Sequence, residues 1–168
     1  AVNQQASTDN RRPRRLTAGI AIVVCLLSAV SAGGQAVSAS FERWGIVAAN
    51  TNPELIREIV KQCFDAGASE VVVFDHTCDD WRKCYANSGI ESAAKAAGAR
   101  MVPADQESYY KPVSLPKGKS LKTAKVHEAI LNADVWINVP VLKNHGGAKM
   151  SISMKNLMGV VWDRGYWH

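Results

Sequence analysis

Cysteine is scarce in this chain, and no pair of cysteines sits at a spacing that chemistry commonly uses. There are four in 168 residues. Cys78 and Cys84 are separated by five residues, which is neither C-x-x-C nor a ferredoxin run, so the chain encodes no cluster motif of its own. In an oxidising compartment those two could still pair. Cys63 lies beside Phe64 in a helical pattern and reads as a small buried hydrophobe. The glycine-rich phosphate motifs are missing as well. Without G-x-G-x-x-G or G-x-x-x-x-G-K-S/T, a standard dinucleotide or P-loop site is not supported. No basic stripe interleaved with aromatics marks the folded part, which argues against nucleic acid. The net charge of +5 is concentrated at one end. Four arginines against one aspartate give residues 1–40 a charge of +3, leaving +2 for the rest.

That end has the three parts of an export signal. Arg11, Arg12, Arg14 and Arg15 form a charged region, and residues 16–30 form an apolar stretch of fifteen. Small residues follow, with cleavage expected after Ala32 or Ala39. The apolar stretch is short for a membrane span, which needs roughly twenty residues. The expectation is an N-terminal signal or anchor helix over residues 1–39 that stays outside the folded domain, with the domain at 40–168. The protein is then exported to the periplasm or the extracellular space, or is held at the membrane by this segment alone if the signal is not cleaved.

Beyond the leader, helical and strand patterns alternate. "NPELIREIVKQCFDAGA" opens with Asn52 as N-cap and Pro53 at the first helical position. Leu55, Ile56, Ile59, Val60 and Phe64 give the apolar face, and Gly67 ends it. "EVVVFDHT" is a β-branched run of the kind buried on both faces of a parallel sheet. "GIESAAKAAGA" reads as a helix and "RMVPA" as a weaker strand. "YKPVSL" and "SLKTAKV" flank a turn as a hairpin. "VWINVPVL" is a second clear strand and "SISMKNLMGVV" a last helix. The expected core pairs Val71, Val72, Val73 and Phe74 with Val135, Ile137 and Val139. This rhythm is that of an α/β sheet with crossover connections.

In such sheets ligands gather beyond the carboxyl ends of the strands. Two places qualify. The first is Asp75-His76-Thr77-Cys78, where Asp75 is a candidate catalytic acid or base and His76 reads equally well as a polar strand-end residue. The second is Lys143-Asn144-His145, followed by the flexible Gly146-Gly147 and then by Lys155 and Asn156. Two ammonium groups beside a helix N-terminus suit phosphate, sulfate or a carboxylate. Lys143, Lys155 and Asn156 are therefore candidate ligand contacts, and His145 a candidate catalytic group. Asn50 and Asn52 lie in a turn able to face the same crevice, although capping alone explains Asn52. One histidine with no second ligand at metal spacing gives no metal site.

These residues resemble the family catalogued as domain of unknown function 362, over about residues 48–168. The most specific pieces are Thr51-Asn52-Pro53, Asn138-Val139-Pro140 with Lys143 and His145, and residues 155–159, Lys-Asn-Leu-Met-Gly. The resemblance implies an α/β fold, here a partial Rossmann-like sandwich with a mainly parallel sheet. It also implies exported bacterial or archaeal relatives, some with iron–sulfur modules. Two departures stand out. The family places a strand ending in Lys-Pro-Asn before the Asn-Thr-Asn-Pro loop, where this chain has "SASFERWGIV", and the family pattern continues past His168. Two functions follow: an exported domain, enzymatic or not, that binds a small anionic ligand, or an iron–sulfur or redox-associated accessory protein that positions a partner. An iron–sulfur cofactor and a redox partner protein enter by resemblance only.

Overall fold

The computed structural model describes residues 20–25, by backbone alone, together with 51–146 and 148–167. Its eight strands are β1 (Ile20–Cys25), β2 (Glu70–Phe74), β3 (Arg100–Met101), β4 (Tyr110–Ser114), β5 (Thr123–His127), β6 (Val135–Val139), β7 (Lys143–His145) and β8 (Lys149–Ser151). The helices are α1 (Pro53–Asp65), α2 (Trp81–Asn87), α3 (Ile90–Ala96), α4 (Glu128–Leu131) and α5 (Ser153–Asn156). A 3-10 segment, Leu157–Val160, follows the last of them. No described helix is long and apolar enough to cross a membrane.

Helix α1 begins where the sequence places it. The Asn52 side chain accepts from the Glu54 amide at 2.9 Å, satisfying one of the orphan donors of the first turn. Ile56, Val60 and Cys63 then fall on one buried face. The helix stops at Ala66, and Gly67 takes a positive φ of 97° that suits a residue without Cβ.

Strand β2 is the spine of the domain. Val71, Val72, Val73 and Phe74 are all buried, because alternate residues feed two cores. Val71 and Val73 join Ile56, Val60, Tyr85 and Ile90 on one side. Val72 and Phe74 join Ala104, Tyr110, Val160 and Val161 on the other. A run apolar on both faces is what this position demands.

The larger sheet has the order β3-β2-β1-β6, and every pair in it is parallel. This corrects the reading of the leader's apolar run as a helix. Residues 20–25 form a strand between β2 and β6, in register from Ile20 opposite Glu70 and from Ala21 opposite Val135. Ile20, Ile22, Val23 and Val24 are β-branched, which suits a pleated, covered position better than a helix. In chain order α1 lies in the connection from β1 to β2, and the "SASFERWGIV" stretch, where the resemblance expected a strand ending in Lys-Pro-Asn, lies outside the described residues. The rest of the leader, with its arginines and small-residue tail, lies outside the described residues. Apart from β1, parallel pairing among the described residues is confined to β2 and β3.

The hairpin expected around "PKGK" is present as β4 and β5. Val161 adds a single antiparallel bridge to Val126, and the Trp162 amide bonds the Lys125 carbonyl at 3.0 Å. A second hairpin, β7 with β8, was not expected. Strand β6 is also less buried than its composition suggested. Val139 is buried and Ile137 half-buried, but Val135 is 44% exposed. The reason is its place at the end of the strand order, with β1 on one side and no further strand among the described residues on the other.

The two strands should respond differently to truncation. Val72, at 2% exposure, should lose about 1–3 kcal/mol on replacement by Ala. Val135→Ala should stay within about 0.5 kcal/mol. Urea unfolding of the two variants checks both.

Candidate functional site

The carboxyl end of β2 is held by a buried phenol. Beyond Phe74 the sheet ladder runs out, since β3 pairs only as far as Val73 and β1 only as far as Phe74. The Tyr85 hydroxyl takes over from it. It accepts from the Asp75 amide at 2.9 Å and donates to the Asp75 carbonyl at 2.8 Å, with the Val102 carbonyl 3.3 Å away. Tyr85 is fully buried on α2, and its ring meets Trp81 edge-on. Asp80 caps that helix through the Lys83 amide at 3.0 Å. Asp75 itself is 1% exposed.

The next residues are pinned from the far end of the chain. Arg164 donates through Nη1 to the His76 carbonyl at 2.9 Å and through Nη2 to the Thr77 carbonyl at 3.3 Å. Its Nη1 also lies 3.7 Å from the Cys78 sulfur. The His76 ring stacks on Trp162 with centroids 5.2 Å apart and planes within 6°. Its Nδ1 is 3.2 Å from the Val161 carbonyl, an acceptor only, so that nitrogen carries the proton. Burial, then the nearby Arg164 cation, push the His76 pKa down to about 4. The ring is neutral at pH 7 and its tautomer is set by the Val161 bond.

Lys143 and Lys155 come to the same region from β7 and α5. Burial is the main force holding both ammonium groups below the ordinary lysine range. Asp75 and Cys78 oppose this at Lys143, while Lys155 repels it. At Lys155, Cys78 attracts and Arg164 repels. Lys155 thus acts on Lys143, and Arg164 on Lys155, with Cys78 drawing on both lysines. The Lys155 Nζ sits 2.8 Å from the Met158 sulfur.

Asn156 is fully buried and donates through Nδ2 to the Asn138 side-chain oxygen. Asn138 in turn donates to the Ser153 carbonyl at 3.0 Å. This link ties α5 to β6 and brings Lys155 alongside the strand end. Thr51 does the same for the loop before α1, donating to the Val139 carbonyl at 3.0 Å from a buried position.

Of the predicted site residues, Asp75 and Lys155 act electrostatically on Lys143, and Asn156 links the helix that carries Lys155 to β6. His145 sits at the end of β7, where its Nδ1 accepts from the Ala148 amide at 3.0 Å and closes the hairpin turn. Asn52 caps α1, and Asn50 lies outside the described residues. Tyr85 and Arg164 were not singled out from the sequence, and Cys78 and Thr51 were named only as parts of the strand-end stretch and of the family motif. Cys78 is exposed and, like Cys63 and Cys84, free. Among the described residues no group of three or more His, Cys, Asp or Glu could hold a metal ion. A cavity of about 580 Å³ lies elsewhere, between the β4–β5 hairpin and residues 161–163, and Asp75, Lys143 and Lys155 do not line it.

The family model described as "Domain of unknown function (DUF362)" matches residues 39–168, and the chain belongs to that family. No curated protein and no solved structure gives a significant match.

Two measurements check the strand-end geometry. Tyr85→Phe removes the hydroxyl that serves the buried Asp75 peptide and should cost about 1–3 kcal/mol in chemical denaturation. The second is pH. His76 takes up a proton near 6.5 when unfolded but only near 4 when folded, so the unfolded state binds more protons between those values. Stability should be full above pH 6.5 and fall as pH drops toward 4. Burial lowers the His127 pKa too, with the same sign. His76→Gln should flatten the fall without abolishing it, as read by urea midpoints at pH 7 and pH 5.

Proposed function

We propose that this member of the family binds a small anionic ligand, a phosphate or a carboxylate, between Lys143 and Lys155 at the carboxyl end of the sheet. The observation that carries the reading is that burial lowers both lysines, with a further cation acting on each, Lys155 on Lys143 and Arg164 on Lys155. Desolvation and like-charge repulsion both penalise the charged form. An anion between them offsets both penalties, and charge-assisted hydrogen bonds to it are among the stronger ones a protein makes. Arg164 adds positive potential and fixes the 76–78 backbone, so that Asp75 and Cys78 keep their places beside the lysines.

Asp75 is the acid or base of this reading, because its carboxylate interacts with Lys143 from a buried strand end. His145 closes the β7–β8 hairpin from which Lys143 projects, and its role here is to shape that loop against the ligand. The partial Rossmann-like sandwich and the exported location belong to the same reading, the first supported by the parallel sheet order and the second by the leader's composition.

Calorimetry of the full chain with inorganic phosphate and with citrate tests it. Lys143→Met and Lys155→Met keep the aliphatic stem and remove the charge. Each should weaken binding by about 1.5–3 kcal/mol while unfolding stability moves by less than about 0.5 kcal/mol. Binding that neither substitution affects, or no binding of either anion at millimolar concentration, would overturn the proposal.

A further inference from the structure

Strand β1 is drawn from the segment that the sequence marks for export. Its six residues separate β2 from β6, which do not pair with each other. Ile20 to Val24 pair residue by residue with Glu70 to Phe74. Ala21 to Cys25 pair in the same way with Val135 to Val139. Two parallel strands held apart by one strand leave a slot about 9.6 Å across, twice the usual spacing. Peptide groups lining such a slot need a third strand to complete their ladder. The side of β2 away from β3 and one side of β6 both face it. A suitable occupant is short, extended and β-branched, and four of these six residues are β-branched.

We infer that the slot between β2 and β6 is a strand-acceptor site, filled in cis by the chain's own residues 20–25. A signal segment has to be presented unpaired to be recognised, whereas the central strand of a sheet is paired on both sides. The same six residues cannot do both at once. Folding with β1 in place withdraws the apolar run from presentation. Cleavage after Ala32 or Ala39, both C-terminal to β1, takes the strand out of the sheet and leaves β2 and β6 without their shared neighbour.

The register supplies the test. Cys25 lies opposite Val139. Cα atoms on adjacent strands are about 4.8 Å apart, inside the roughly 4.4–6.8 Å window for a disulfide. Full-length chain carrying Val139→Cys is oxidised mildly and its bridges are mapped by peptide mass, with Leu142→Cys, beyond the end of β6, as the control. The expected result is a bridge within one chain from Cys25 to the thiol introduced by Val139→Cys, and no bridge to Cys25 in the control. A bridge only between two chains assigns the slot to a second copy's leader, and absence of any bridge to Cys25 empties it. Either result overturns the proposal. In a second variant, Val23→Pro removes a ladder donor in mid-strand. Amide exchange at residues 71–74 should speed up about tenfold or more. Unchanged exchange there would also overturn it.

Discussion

A single buried hydroxyl fixes the geometry on which the candidate site depends. At Asp75 the chain leaves the sheet, and the peptide group there has lost the ladder that served residues 71–74. A buried amide or carbonyl without a partner costs on the order of 1–3 kcal/mol, so the strand end would otherwise fray toward solvent. The Tyr85 hydroxyl meets both the amide and the carbonyl of Asp75. Helix α2 is thereby tied to the strand end. Because Tyr85 also belongs to the core around Ile56, Val60 and Ile90, the position of Asp75 is set by core packing rather than by a loop.

From that fixed point the remaining parts converge from distant places in the chain. Arg164 grips the carbonyls of His76 and Thr77 across 88 and 87 residues of sequence. Thr51 grips the end of β6 across 88. The Asn138–Asn156 link carries α5, and with it Lys155, to the same strand. Each contact commits a buried or half-buried polar group to backbone or to another fixed side chain. Lys155 thus ends within electrostatic reach of Lys143, which is the premise of the proposed anion site.

Much of this was legible in the sequence, and the reasons are local. Helix α1 announced itself through Asn52, Pro53 and the spacing of Ile56, Ile59, Val60 and Phe64, although Leu55, expected on the same face, is exposed. The β-branched run of β2 announced burial on both faces, and the β4–β5 hairpin followed from two strands around a turn. What could not be read depended on partners far away in sequence. An apolar run such as that of β6 says that burial is wanted, not which neighbour will supply it, and Val135 ends exposed because its strand lies at an edge. The leader run has the composition of a signal and equally that of a strand, and the partners it pairs with, β2 and β6, lie far away in sequence. Asp75, Lys143 and Lys155 were nominated because strand ends are where α/β sheets gather ligands. Tyr85 and Arg164 were not, since nothing near either residue hints at the peptide groups it serves.

The most direct test of the account is the titration of Lys143 and Lys155 themselves, followed by NMR of their side-chain carbons in the full chain with and without inorganic phosphate. The account predicts that both titrate below the ordinary lysine range in the free protein, and that both move upward when phosphate occupies the site. Ordinary titration of both lysines in the free protein, unchanged by phosphate, would contradict it.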